Sequence, residues 1–169
     1  YDFADMLAAN EQGYFPYTPA MTLMRGLRTG TDMLLEEGME NVYHRHHRLA
    51  SAVRKAVERW DMVTQPFDKT TCSDTVIAVN TWDKIDAREI INHAYHKYGI
   101  SLGAGLGPLA GKVFRIGHLG WLNEAMILQV LSGVELTMAD LGIKFEPGSG
   151  VGAAIEELVG KVYVTSYRV

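Results

Sequence analysis

The sequence predicts an α+β fold, with helices packed on one face of a small, mainly antiparallel sheet. Two observations carry this reading. Long segments with apolar residues spaced by three and four alternate with short β-branched runs after residue 60. Glycines and N-capping residues also fall where those periods change. The chain has 169 residues, 47% of them hydrophobic and 21% charged, which suits one compact domain or one domain with an extra segment.

The first dozen residues, opening "YDFADM", carry neither a helical nor a strand period, and they read as a piece of something longer. The first strong signal is "YTPAMTLMRGLRTGTDMLLEEG". Thr18 before Pro19 predicts a capping hydroxyl followed by a proline at the first helical position. Met21, Met24, Leu27, Leu34 and Leu35 then form one stripe, and Gly38 ends the helix. A second helix is predicted from about Met39 to Trp60, burying Val42, His46, Leu49, Val53, Val57 and Trp60.

Past Pro66 the period becomes two. "DTVIAVNT" (74–81) reads as a strand, and "DAREIINHAYHKYG" as a helix with Asp86 and Glu89 in capping-box positions and Gly99 at its end. A glycine-rich stretch, "ISLGAGLGPLAG", leads into the strand "KVFRIG". Asn123 is placed to cap a helix that buries Ile127, Val130, Leu131, Val134 and Met138. A last helix over about 151–161 turns Val151, Ala154, Ile155 and Leu158 inward.

Composition narrows the function classes. A net charge of −4 without a clustered basic surface argues against nucleic acid as a partner, and "HRHHR" at 44–48 reads as a mixed solvated face. No stretch approaches 18 apolar residues, so no membrane span is expected. The single cysteine, Cys72, excludes an intrachain disulfide and fits a reducing, cytoplasmic setting. It stands in "TTCSD" with no histidine close in sequence, so a small, partly buried cysteine is expected there rather than a nucleophile.

"GAGLG" at 103–107 satisfies half of a dinucleotide fingerprint, but Pro108 and the strand that follows remove the helix N-terminus such a loop needs. The glycines instead indicate a backbone that bends tightly or passes close to another group. His44 with His47, and His93 with His96, could each meet over a metal ion, but arginines flank the first pair and no acidic or cysteine ligand recurs at metal spacing. No metal site is expected.

Arg115, in "VFRIG", points to the face opposite Phe114 and Ile116. Spacing leaves two readings open: a solvent-facing arginine, or a guanidinium fork held beside side-chain-free backbone as a carboxylate receptor.

"YFPYTPAMTLMRGLR", "ENVYHRHHRLASAVRKAV" and "GISLGAGLGPLAGKVFRIGHLG" resemble the C-terminal part of the class V aminotransferases of fold type I, closest to the serine–glyoxylate and alanine–glyoxylate group. The resemblance runs from about Gly13 to Leu141, and "GLGPLAGKVFRIG" is its most specific part. It implies that residues 1–38 are the end of the large domain with its connecting helix, and that 39–165 are the small C-terminal domain. It implies that Arg115 binds the substrate α-carboxylate, and that Thr18 reaches the phosphate of pyridoxal 5′-phosphate in the neighbouring subunit of a homodimer.

The family's tyrosine beside that threonine falls at Phe15 here, so Tyr17, or else Tyr14, would accompany Thr18, with Tyr17 preferred. The lysine that bonds covalently to the cofactor has no counterpart among the seven lysines, so the resemblance places it upstream. The implied activity is transfer of an amino group from serine, alanine or aspartate to a 2-oxo acid such as glyoxylate or pyruvate; by itself the chain is expected to be inactive. Cysteine desulfuration, a rival chemistry of the same superfamily, wants a cysteine in the loop before the arginine strand, and "SLGAGLGPLAG" has none. The alternative outside enzymology is a non-catalytic small-domain module acting as a binding or interaction protein.

Overall fold

A computed structural model describes residues 2–66, 68–81 and 85–160. The chain divides into two compact units at Val42, and each is described by itself.

The first unit is helical. Helix α1 (Phe3–Glu11), which the sequence pattern did not reveal, starts where the Asp2 carboxylate accepts from the Ala4 N–H at 2.8 Å. Its large apolar side chains Phe3 and Leu7 are exposed and none of its residues is buried, so no buried stripe announces it.

Helix α2 (Met21–Glu37) begins later than Thr18-Pro19 predicts. The Met21 N–H donates to the Pro19 carbonyl at 2.9 Å, and Ala20, at φ −76° and ψ 69°, is the centre of an inverse γ-turn. That turn moves the N-cap to Ala20, which has no side chain to offer, so the expected capping role of Thr18 is wrong. Gly38 ends α2 as expected, at φ 83°, donating to the Leu34 carbonyl. The Met21–Leu35 stripe forms but buries nothing among the described residues.

Helix α3 (Met39–Arg59) leads into the second unit, followed by β1 (Val63–Gln65), β2 (Val76–Asn80), α4 (Ala87–Tyr98), β3 (Gly103–Ala104), β4 (Val113–Gly117), α5 (Glu124–Asp140) and α6 (Ser149–Gly160). The sheet order is β1-β2-β4-β3 and every pairing is antiparallel. Strands β1 and β3 were not legible in the sequence, being only three and two residues long. Ile77 and Val79 of β2 and Phe114 and Ile116 of β4 share one sheet face and join Leu49, Val53, Val57, Ile90, Leu131 and Val134 of the helices in one core.

The caps explain the helix ends. Asp86 accepts from the Arg88 N–H at 2.9 Å and Gly99 adopts the left-handed conformation, as expected. The capping box does not close, because the Asp86 carboxylate also takes the Arg88 side chain, and Glu89 makes no reciprocal bond. Asn123 accepts from the Met126 N–H at 3.0 Å at the start of α5. On α6, Ala154 and Leu158 are buried, but Ile155 is 43% exposed. One residue past Ala154 is a rotation of about 100°, which takes Ile155 off the inward stripe. Among the described residues, no helix is long and apolar enough to cross a membrane.

Candidate functional site

The site is built on one row across the sheet. Gln65 of β1 pairs with Ala78 of β2, Ala78 with Arg115 of β4, and Arg115 with Gly103 of β3. Because Phe114 and Ile116 take the core face, this row lies on the opposite one. Arg115 therefore has a methyl group on one side and no side chain on the other. A Cβ at Gly103 would stand 3.1 Å from both Arg115 Cβ and Nε and 3.5 Å from Cζ. The guanidinium lies along the bare β3 backbone, as the glycine-rich lead-in suggested.

The arginine is half-buried, and its Nε is fully buried without a hydrogen-bond partner. No carboxylate pairs with it among the described residues. A charged group in that position is ordinarily paired or fully solvated, and Arg115 is neither.

Strand β3 is held close by the loop after it. The Gly105 N–H donates to the Val113 carbonyl at 3.1 Å, and a Cβ on Gly105 would fall 2.1 Å from the Leu109 carbonyl oxygen. A short 3-10 turn, Gly107–Leu109, closes the loop, and the Lys112 carbonyl then receives both the N–H and the hydroxyl of Thr81. The glycines here make a tight turn, and no helix N-terminus follows them.

At the far end of β4, His118 is completely buried. Among the described residues, neither ring nitrogen meets a partner with hydrogen-bonding geometry. Burial pushes its pKa down to about 4; the Asp74 backbone opposes that shift, and the charges of Arg54 and His46 add to it. No pattern in the sequence singles this residue out beyond its place after an apolar strand.

The following loop is anchored by α3. Arg45 Nη1 donates to the Gly120 carbonyl at 2.7 Å and its guanidinium lies over the Trp121 ring, 5.7 Å from the centroid. His46 Nε2 accepts from the Gly120 N–H at 3.2 Å, and Arg48 pairs with Glu124. The reading of "HRHHR" as a solvated face is thus corrected. Arg45 is buried, because the loop offers its backbone polar groups to that face of α3, and His46 is buried as its place on the apolar stripe predicts.

Two other histidines, His47 and His93, find carboxylates far off in sequence. His47 Nδ1 lies 2.9 Å from Asp74, which also accepts from Arg54. His93, Lys97 and Tyr98 all converge on Asp140 Oδ2, and those donors hold its carboxyl far below the usual range. Among the described residues, no group of three or more possible ligands is placed to hold a metal ion. Cys72 is half-buried, with Sγ near the Pro66 and Asp68 carbonyls.

Tyr17 and Thr18 lie in the first unit, exposed, ahead of α2. The Thr18 hydroxyl bonds to nothing among the described residues, and α2 starts without a side-chain cap.

No family model matches the chain. Individual proteins do. The serine–glyoxylate aminotransferase of Methylorubrum extorquens is 49% identical over 154 residues, 91% of this chain and 38% of that protein. The L-aspartate–glyoxylate aminotransferase of Paracoccus denitrificans is 44% identical over 156 residues, 92% of this chain and 39% of its own length. The crystal structure of pyridoxamine–pyruvate aminotransferase from Mesorhizobium loti superposes with a TM-score of 0.82 at 31% identity, over 86% of this chain and 38% of that one. In sequence and in fold the chain is similar to the class V aminotransferases, along their C-terminal part. It spans about 38% of the length of the curated relatives it matches.

Proposed function

We propose that this chain is the C-terminal, carboxylate-binding part of a pyridoxal phosphate-dependent aminotransferase that moves an amino group from serine, alanine or aspartate to glyoxylate, pyruvate or a similar 2-oxo acid. The observation that carries the reading is Arg115: a half-buried guanidinium with no carboxylate partner among the described residues, seated against bare backbone. A planar fork of donors takes both oxygens of a carboxylate and so fixes the direction of the rest of an amino acid. Held that way, the donor's Cα–H bond keeps one orientation through the reaction.

In this reading residues 1–38 close the large domain and 39–165 form the small one, with the full enzyme a homodimer. The cofactor supplies the aldehyde and the electron sink for amino-group transfer. The residues present fit its phosphate: Thr18 carries an unengaged hydroxyl just before an uncapped helix N-terminus, whose free N–H groups favour an anion. Thr18 would donate to the phosphate of the partner subunit's cofactor, with the Tyr17 hydroxyl beside it. The lysine that holds the cofactor is assigned to the protein upstream of Tyr1.

The test is Arg115→Ala and Arg115→Lys in the full-length enzyme. Loss of a charge-assisted bidentate contact should cost about 2–4 kcal/mol in kcat/KM, with lysine recovering only part because it offers a point charge. Wild-type kcat/KM in both variants overturns the carboxylate role.

A further inference from the structure

We infer that Gly103 is a positioning residue for the carboxylate clamp: its missing side chain sets the direction of the Arg115 guanidinium. The inference rests on the reading of Arg115 as that clamp.

Three features of the row support it. First, the two strand neighbours of Arg115 are unequal, Gly103 on one side and Ala78 on the other. The guanidinium lies on the glycine side, within 3.1 Å at Nε and 3.5 Å at Cζ of where a Cβ would be. Second, Arg115 Cβ is carried by the β4 backbone, itself paired on both edges, so it gives no more than the few tenths of an ångström that a contact at 3.1 Å demands. Nε and Cζ lie beyond rotatable bonds and must yield instead. Third, among the described residues the Arg115 Nε is buried without a hydrogen-bond partner and no carboxylate pairs with the guanidinium. Packing against β3 then sets its direction. A side chain at 103 would turn the fork toward Ala78 and away from its present axis.

Gly105, two residues on, is a built-in contrast. A Cβ there would collide with the Leu109 carbonyl oxygen at 2.1 Å and with Val113 Cγ2 at 2.8 Å. Its role is to let the backbone fold, so its replacement should lower stability. Gly103 has φ outside the left-handed region, and the three nearest atoms a Cβ would meet all belong to Arg115. Its replacement should change the clamp and leave the fold intact.

The experiment has two arms. In the 169-residue chain, nitrogen-15 spectra of the arginine Nε–H groups should show a protected Arg115 signal that shifts and loses exchange protection in Gly103→Ala, while the melting temperature holds. In the full-length enzyme, Gly103→Ala should raise KM for the amino-acid donor about ten-fold, with cofactor affinity unchanged, since a small misplacement of a substrate-orienting group is enough for that. Added to Arg115→Ala, the same change should have no further effect. An unaltered Arg115 signal in Gly103→Ala, or an equal loss of kcat/KM in both backgrounds, overturns the inference. Wild-type kinetics of Arg115→Ala alone would instead overturn the carboxylate reading on which it rests, whatever the spectra show.

Discussion

The Trp60 indole N–H donates to Glu135 Oε1 at 2.9 Å, joining residues 75 apart in sequence. The same carboxylate accepts from the backbone N–H groups of Gly148 at 2.6 Å, Gly150 at 2.8 Å and Val151 at 3.1 Å. A side chain of α5 thus caps the N-terminus of α6 and ties both to the end of α3. Gly150 has to be glycine, because a Cβ there would fall 2.2 Å from Trp60 Nε1.

Glu135 is 7% exposed, and its removal would strand up to four donors away from water. Glu135→Ala should destabilise the fold by about 3–5 kcal/mol, and Glu135→Gln by about 1–3 kcal/mol, since an amide keeps one acceptor and turns a donor against the rest. Urea unfolding of the two variants checks this. An alanine variant as stable as the parent would show that the cap contributes nothing.

His118 predicts a pH dependence. Its folded pKa, about 4, lies below the ordinary 6.5, so the folded state prefers the neutral ring and the unfolded chain binds the proton more tightly. The stability from the neutral ring is fully present above about pH 6.5 and is lost as pH falls toward 4, by about 3 kcal/mol across the window. Unfolding free energies from pH 7 to pH 4, for wild type and His118→Phe, should show a shallower slope in the variant. Equal slopes would assign the acid sensitivity to other groups.

Thr18→Ala separates two roles that the sequence alone leaves mixed. The inverse γ-turn at Ala20 takes Thr18 out of the cap position, so no loss of helix stability is expected. The proposed phosphate contact predicts faster cofactor release from the full-length dimer, most visible on dilution, at an unchanged melting temperature. A lowered melting temperature with normal cofactor retention is the opposite result, and would return Thr18 to a purely structural role.

What the sequence revealed follows from how locally each feature is encoded. The Asn123 cap, the Gly99 and Gly38 stops and the buried faces of α3 and α5 are set within a few residues, and the periodicity exposes them. Arg115 was legible as an anomaly, a charge in an apolar strand after a glycine run. The Gly103 contact was legible only as a close approach to something unnamed, because the partner across the strand pair is fixed by register. His46 stood on the buried stripe that the spacing of α3 shows, but the burial of Arg45 depends on a loop 75 residues away, and the Glu135 cap on a turn from another element, so neither of those leaves a local trace. Helix α1 escaped for the opposite reason: it is local but buries nothing.

The last prediction concerns the chain by itself. Helix α2 buries none of its residues, and Leu23, Leu27 and Leu35 are each more than two-thirds or about two-thirds exposed, at 74%, 72% and 67%. A stripe of that extent on a 17-residue helix is larger than water-facing helices usually carry. Purified chain should therefore self-associate with rising concentration in sedimentation velocity, and Leu23→Glu with Leu27→Glu should return it toward monomer. Chemistry should be absent in either state. In the proposed reading the cofactor-holding lysine is none of the seven in this chain, and amino-group transfer requires such a lysine to carry the proton. Titrating pyridoxal phosphate into the chain should give only the weak, non-saturating absorbance change of surface amines, unaffected by serine or alanine. Saturable one-to-one binding together with turnover of an amino acid would refute the assignment of the lysine to the upstream region, and the seven Lys→Ala variants would then identify the residue.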